Sequence, residues 1–123
     1  MYRSRLGKNL GKITLDYVSS LDGDVEIALY DILGSQAHAI MLYDNKIITK
    51  KEIKKILKGL ENLKKEKFEK KSNSEDIHEL IESLIIKRIG IDAGGKMHTA
   101  RSRNDQVALD IRMKIRDDIN IIC

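Results

Sequence analysis

The residues of this sequence best suited to chemistry lie close together, at the start of a predicted helix near the C-terminal end. Arg101 and Arg103 place two cations at a helix N-terminus, which already carries partial positive charge and free N–H groups. Such a pair is favourable when an anion joins it, and a guanidinium matches a carboxylate or phosphate through two parallel hydrogen bonds. Asn104 adds a donor and an acceptor, and Thr99 adds a hydroxyl group. The run therefore predicts a socket for a small polyanion, although a surface cap whose nearby aspartates neutralise the arginines fits the same residues.

Three other groups of polar residues each admit a functional and a purely structural interpretation. His78 lies in the acidic segment Glu75–Glu79, where it is either a hydrogen-bonding residue near a site or an ordinary surface histidine in the first turn of a helix. The segment Ser19–Asp24 precedes a helix and needs no role beyond an N-cap. His38 lies between two alanines inside a predicted helix and suggests a packed side chain more than a ligand. No His or Cys spacing typical of a zinc site accompanies these groups, so no metal is expected.

Hydrophobic periodicity predicts an all-α protein whose helices position these groups. The composition agrees, because Pro and Trp are absent and 34% of the residues are charged. The helices are expected from about Asp22 to Tyr43, from a capping box at Thr49–Glu52, from a serine cap at Ser72 or Ser74 to Gly90, and from Ser102 onward. Between the last two, residues 91–99 are expected to form a loop in which Gly94 and Gly95 allow close backbone approach.

Two of these helices carry apolar stripes that make specific predictions about burial. In the first helix the apolar residues at helical spacing are Val25, Leu29, Ile32, Ala39 and Tyr43. The stripe is widened by Ala28, Ile40 and Leu42, so burial on more than one side is expected. Gly34, Ser35 and Ala37 are small enough for another helix to come close there. In the last helix the apolar stripe is still running at Ile122, which leads us to expect a fragment cut inside a longer helix.

Composition and charge also bear on the class of protein. A single cysteine cannot form an internal disulfide, so a reducing, cytoplasmic setting is expected. No apolar run of about 18 residues exists, so no membrane span or membrane partner is expected. Residues 46–71 hold eleven lysines against four glutamates, which leaves a basic helical nucleic-acid-binding module as an alternative. Without arginine clusters or interleaved aromatic residues, that stretch is more typical of a solvated helix face, and no nucleic-acid partner is expected.

Taken together and in this order, the polar clusters resemble argininosuccinate lyases, a family grouped with the fumarases, aspartases and adenylosuccinate lyases. The family's run His-Thr-Gly-Arg-Ser-Arg-Asn-Asp-Gln matches His98–Gln106, except that Ala100 replaces the glycine. Its Glu-Asp-Ile-His matches Glu75–His78, and its Gly-Ile/Leu-Leu-Thr turn is similar to the segment that begins at Lys46, where the glycine is again replaced. Further matches are at Ser20, Asp24, Asp31–Ile32, Gly34–Ser35, His38 and Leu42. The Arg-Ser-Arg-Asn-Asp run argues against an adenylosuccinate lyase.

The resemblance implies a β-elimination that splits argininosuccinate into arginine and fumarate, a step of arginine biosynthesis, without a cofactor or metal. It implies substrate contacts from Ser20, Arg103 and Asn104, and supporting roles for Asp76, His78, Thr99 and Arg101. The family's catalytic base and acid lie further along than this chain extends, so no catalytic residue and no turnover are expected in the chain by itself. The family assembles as a homotetramer in which three subunits build each active site.

The resemblance also divides the chain into three parts. Residues 1–19 are expected to be an extended arm, residues 20–100 a helical N-terminal lyase domain, and residues 101–123 the truncated first helix of a central helical bundle. A second alternative is a structural protein without activity, since lens δ-crystallins resemble the same lyase. The basic composition, rich in isoleucine and lysine, makes a lens protein the weaker interpretation.

Overall fold

The computed structural model describes residues 21–66, 68 and 74–123, and all regular secondary structure in those ranges is helical, which confirms the all-α class. In chain order the elements are α1 (Leu21–Asp24), a 3₁₀ turn (Val25–Ile27), α2 (Ala28–Asp44), α3 (Lys50–Leu63), α4 (Ile77–Ile89), α5 (Ile91–Gly94), a 3₁₀ helix (Gly95–His98) and α6 (Arg103–Ile122). The predicted arm at residues 1–19 and the predicted contact residue Ser20 lie outside the described residues.

An aliphatic core lies between α2, α3 and α4. Its most buried members are Ala28, Ile32, Ala39, Leu42, Ile48, Ile53, Ile56, Leu60, Leu63, Ile77, Leu80, Ile81, Ile85 and Met97. Both α3 and α4 turn their apolar faces inward, as amphipathic helices do when they pack on a common core. Met97 brings the 3₁₀ helix into the same core, so the segment that leads to α6 is anchored on the body of the domain.

The interior side of α2 is more polar than its apolar stripe predicts. Its buried residues are Ala28, Asp31, Ile32, Gly34, Ser35, Ala39 and Leu42. Leu29 is 53% exposed and Tyr43 is 37% exposed, so the predicted burial of these two side chains is wrong. Asp31 and Ser35 are fully buried on the opposite side of the helix, where they find polar partners on other elements.

The helix starts are partly as predicted. The capping box of α3 is confirmed, because the Thr49 hydroxyl accepts from the backbone N–H of Glu52 and the Glu52 carboxylate accepts from that of Thr49. The predicted serine cap of α4 is wrong, since its N-cap is Asp76. The expected loop at residues 91–99 is also wrong, because α5 and the 3₁₀ helix occupy most of it. Gly90, with φ of 88°, ends α4 as expected.

The last helix, α6, crosses α2 at Gly34 and leaves much of its apolar surface uncovered. A Cβ atom on Gly34 would lie 3.1 Å from Leu109 Cδ2, which confirms the close helix contact predicted there, whereas Ala37 is exposed. Ile111, Ile115 and Ile119 are each about half exposed. Among the described residues, no helix combines the length and the apolar character that crossing a membrane requires.

Candidate functional site

A cavity of about 480 Å³ opens beside the start of α6. It is lined by Glu82, Ile86, Ile91, Gly95, His98, Thr99, Arg101, Arg103 and Gln106. Of the residues predicted to bind or support a ligand, the cavity brings together Thr99, Arg101 and Arg103. Its wall thus combines two guanidinium groups with the N-terminus of a long helix, an arrangement that favours an anionic ligand.

The guanidinium of Arg103 has a protein partner at its Nε atom and none at its Nη1 atom. Its Nε atom lies 3.6 Å from Asp76 Oδ2, and the other oxygen of that carboxylate, Oδ1, accepts the Glu79 backbone N–H at 2.7 Å. One aspartate therefore caps α4 and orients an arginine of α6. The Nη1 atom of Arg103 is buried and has no hydrogen-bond partner. A buried donor without a partner costs free energy, so the group is set up to receive an acceptor from a ligand.

The predicted contact residue Asn104 is not among the residues that line the cavity. Its side chain is exposed in the first turn of α6, and its backbone N–H donates to the Ser102 hydroxyl at 3.3 Å. Ser102 is thus an N-cap, as its sequence context indicates. In this chain Asn104 faces solvent beside the cavity, where it can meet only a ligand that extends out of it.

Two histidines border the site in different ways. His98 lies on the cavity wall with Nε2 3.8 Å from Glu82 Oε2, and burial lowers the pKa of its imidazole. His38 donates from Nε2 to the Thr99 carbonyl oxygen at 2.8 Å, since a carbonyl can only accept. This bond joins α2 to the segment just before the two arginines and agrees with a structural role for His38.

The turn before α6 is held in a conformation that glycine adopts more easily than other residues. Among the described residues, Lys46 (φ 59°) and Ala100 (φ 57°) are the non-glycine residues with positive φ. At both positions the resemblance given in the sequence analysis implies glycine. A Cβ atom makes the left-handed region cost about 1–2 kcal/mol, so both replacements carry backbone strain. The strained residue Ala100 lies between Thr99 and Arg101, two residues that line the cavity.

We expect Ala100→Gly to raise the free energy of unfolding by about 0.5–1 kcal/mol, because relief of left-handed strain exceeds the added entropy of the unfolded chain. The matched control is Ala108→Gly, in an exposed, ordinary helical position of α6, which is expected to lower it by about 1 kcal/mol. Urea denaturation followed by circular dichroism measures both. If the two substitutions change stability in the same direction, the strain at Ala100 is absent.

A buried polar cluster lies behind the cavity, formed by Asp31 of α2, His78 of α4 and two residues of α6, Gln106 and Asp110. All four are at most 2% exposed. His78 Nδ1 lies 3.1 Å from Asp31 Oδ1 and 3.5 Å from Asp110 Oδ2, and Gln106 Nε2 donates to Asp31 Oδ1 at 2.5 Å. The interpretation of His78 as an ordinary surface histidine is therefore wrong.

Burial dominates the electrostatics of this cluster. Burial and, after it, the negative charge of Asp31 raise the pKa of Asp110 to about 7, while the charge of Arg101 opposes the change. Burial also raises the pKa of Asp31, against the hydrogen bond from Gln106 and the charge of Arg101. Two buried carboxyl groups this close repel each other when both are ionised, so burial and mutual repulsion account for the raised pKa values of Asp31 and Asp110.

The same cluster is where a small cation could be held. Among the described residues, Asp31, His78 and Asp110 are the group whose potential ligand atoms all lie close enough, within 4.8 Å of one another. Carboxylate and imidazole are ligands that divalent transition metals accept. Proximity alone does not distinguish a bound cation from a shared proton.

Sequence reasoning did not single out Asp31, Gln106 and Asp110 as parts of one cluster. A signal was present, because Gln106 and Asp110 are four residues apart and so share one face of α6. Asp31 likewise falls beside Ile32 on the interior side of α2. The spacing shows only that the two polar residues of α6 share a face. Whether that face is buried, and which partners it meets in other helices, cannot be read from spacing.

Comparison with known proteins places these residues in a family context. A protein-family model described as "Lyase" matches residues 11–123. A protein named argininosuccinate lyase from Nitrosopumilus maritimus (strain SCM1) is 72% identical over 123 residues, which are 100% of this chain and 25% of the relative. Another of that name, from Methanocaldococcus jannaschii, is 45% identical over 98% of this chain and 25% of its own length. A third, from Caldanaerobacter subterraneus subsp. tengcongensis, is 42% identical over 99% of this chain and 28% of its own length. The chain thus spans about a quarter of the length of the curated relatives it matches.

Proposed function

The chain belongs to the lyase family, and from this membership we propose that it is the substrate-binding part of an argininosuccinate lyase. The observation that carries the proposal is the cavity wall at the start of α6, which includes both Arg101 and Arg103 and leaves an unpartnered Nη1 atom on Arg103. The succinate end of argininosuccinate carries two carboxylates, and two guanidinium groups at a helix N-terminus complement that charge.

In this proposal the chain binds and orients the substrate. Arg103 receives a carboxylate, with Asp76 fixing the guanidinium from behind. Arg101 and Thr99 contribute to the same wall, and Asn104 contacts the parts of the substrate that extend outward. The resemblance adds a contact from Ser20. Positioning of this kind accelerates an elimination by holding the breaking C–H and C–N bonds in a reactive geometry.

The proton transfers of the β-elimination belong to residues outside this chain. A base removes the proton beside a carboxylate, and the charge that develops on that carboxylate is stabilised by the arginines. As the C–N bond breaks, an acid protonates the departing nitrogen, so that arginine and fumarate are released. Neither a cofactor nor a metal takes part in the proposed reaction. His98 lies on the cavity wall with Nε2 3.8 Å from Glu82 Oε2, and because the proposed acid and base lie outside this chain, we assign it to the shape of the wall.

The proposal extends to assembly and location. The exposed isoleucines of α6 form a stripe at the spacing of a helix that packs on others, which supports a helical bundle shared between subunits of a homotetramer. The single cysteine, Cys123, supports a reducing, cytoplasmic setting. Argininosuccinate is the proposed small-molecule partner, and we propose no nucleic-acid or membrane partner.

A chimera tests the proposed function. The 123 residues of this chain replace the aligned segment of the Nitrosopumilus maritimus relative, which supplies the rest of the protein. We expect the chimera to release fumarate from argininosuccinate, measured by ultraviolet absorbance, with kcat/KM within about tenfold of the parent, or 1.4 kcal/mol in transition-state stabilisation. The 123-residue chain assayed alone is expected to release no fumarate, since the proton-transfer residues are missing from it.

Two outcomes would contradict the proposal. A chimera that folds and assembles like the parent but releases no fumarate would favour the inactive, δ-crystallin-like alternative. Turnover by the 123-residue chain alone would show that it holds its own acid and base, contrary to the assignment of those groups elsewhere. Size-exclusion chromatography of parent and chimera provides the control for assembly.

A further inference from the structure

We propose that Asp31, Asp110 and His78 form a proton-sharing cluster that positions the Arg101 guanidinium at the wall of the cavity. The inference rests on the proposed function for the role of the cavity, and on geometry for the cluster itself. It assigns a task to three buried residues that touch neither the cavity nor its ligand directly, since none of them lines the cavity. They are positioning residues, and the side chain they position is Arg101.

The cluster holds more acceptors than donors. Asp31 Oδ1 accepts from Gln106, but Asp31 Oδ2, both oxygens of Asp110 and Gln106 Oε1 are buried without a hydrogen-bond partner. His78 Nδ1 is close to both carboxylates but makes no aligned hydrogen bond. A buried acceptor without a donor costs about 1–3 kcal/mol. One added proton supplies a donor and also removes the repulsion between two carboxylates.

The charge balance favours a proton over a metal ion. With one proton held between Asp31 and Asp110, a single negative charge remains, and the Arg101 guanidinium neutralises it. A divalent cation bound by both carboxylates would leave the charge of Arg101 in excess beside a buried site, which is costly. The raised pKa values of Asp31 and Asp110 agree with a retained proton.

Gly34 makes the connection between the cluster and Arg101. A Cβ atom at Gly34 would lie 3.2 Å from Arg101 Nη2 and 3.6 Å from Asp110 Oδ1, so both groups border the space that the glycine leaves empty. On its other side the guanidinium donates from Nη1 to the fully buried hydroxyl of Ser35 at 2.9 Å. Arg101 is thus fixed by α2 and lies within the field of the cluster, while it also lines the cavity.

Every charged group that faces the cluster bears on its protonation. From α2 there is Asp31, from α4 His78, and from α6 Asp110, while Arg101 precedes α6. Arg103 and His98 act on Asp31 from further away. As pH rises through about 7 the shared proton is lost, the cluster gains a negative charge, and its attraction for Arg101 increases. The environment of the guanidinium must therefore titrate with the cluster.

Nuclear magnetic resonance on the isotope-labelled chain tests this coupling. The Arg101 Nε–Hε resonance is expected to titrate with a midpoint near pH 7, and Asp110→Asn is expected to abolish that titration. The control Asp105→Asn, an exposed aspartate in the first turn of α6, is expected to leave it unchanged. An Arg101 resonance that is flat between pH 5 and 9 in the wild type, or unchanged by Asp110→Asn, overturns the proposal.

A second variant decides the question if Asp110→Asn does not fold. Arg101→Gln removes the positive charge from outside the cluster, so the midpoint of the Asp110 carboxyl ¹³C titration is expected to rise by about half a pH unit to one unit. An unchanged midpoint counts against coupling. Equimolar, saturable binding of Zn²⁺ that shifts the His78 ring resonances would also overturn the proposal, by making the cluster a metal site.

In the chimera, Asp110→Asn is expected to raise KM for argininosuccinate about tenfold, as the loss of about 1.4 kcal/mol of binding does, with kcat changed much less. The chimera assay and the resonance titration together distinguish the two proposals. An inactive chimera with a titrating Arg101 resonance contradicts the proposed function alone. An active chimera in which Asp110→Asn leaves the Arg101 titration unchanged contradicts only the positioning cluster.

Discussion

Arg103→Lys in the chimera is expected to lower kcat/KM for argininosuccinate by about 10- to 100-fold, the equivalent of losing 1.5–3 kcal/mol from a charge-assisted hydrogen bond. Lysine keeps the positive charge but not the planar fork. In the structure the fork has separate tasks, because Nε faces Asp76 Oδ2 at 3.6 Å while the buried Nη1 has no protein partner. A single ammonium group cannot keep the contact with Asp76 and also fill the place of Nη1.

The matched control for this substitution is Arg112→Lys. Arg112 is exposed on the same helix, two turns beyond the cavity, and the change of side chain is identical. We expect its kcat/KM to stay close to that of the unsubstituted chimera. If Arg103→Lys has no more effect than Arg112→Lys, the cavity is not where a substrate carboxylate binds, and the proposed role of this wall is wrong.

The parts of the fold that were predictable are those in which one helix face decides burial. In α3 and α4 the apolar residues recur at helical spacing, and both helices place that face on the core. The α2 prediction was wrong at Leu29 and Tyr43 because that helix is apolar on several sides. The inward side also carries Asp31, whose polar partners come from other elements, and periodicity within one helix carries no information about them.

The candidate site was predictable to a similar extent. The two arginines were recognised because a helix start and a cationic run are both local features of the sequence. The buried cluster was not, since Gln106 and Asp31 are 75 residues apart and their contact depends on how α2 and α6 cross. For Asp76 the sequence predicted the local structure but not the contact. Its position suggested the first turn of a helix, but only the structure shows that the same carboxylate faces Arg103.

The glycine pair before the site gives the second large expected effect. Close backbone approach was predicted at Gly94 and Gly95, and the structure shows it at Gly94, which meets another helix. A Cβ atom there would lie 2.9 Å from the Ile86 Cα atom and 3.2 Å from the Ile86 backbone nitrogen. Because these are backbone atoms of α4, they cannot rotate away as the end of a side chain could.

We therefore expect Gly94→Ala to lower the free energy of unfolding by about 1–3 kcal/mol, the range for an overpacked interior contact. Gly95→Ala is the matched control. Both glycines have ordinary right-handed helical φ and ψ, and a Cβ atom on Gly95 meets only the Ile91 side chain, with Cδ1 at 3.4 Å and Cγ1 at 3.8 Å. Removing a glycine from such a position is expected to raise stability by about 0.4–1 kcal/mol, through the lower entropy of the unfolded chain.

Urea denaturation of the two single variants measures the difference, with the slope of the transition as the check that the folded and unfolded states stay comparable. The difference between Gly94→Ala and Gly95→Ala reports steric contact, because the two variants share the same substitution, the same backbone conformation and adjacent positions in the sequence. Equal stability of the two variants would mean that α5 does not press on α4 at Gly94. That contact matters for the site, because the 3₁₀ helix that follows α5 carries His98 and leads directly to Thr99 and Arg101.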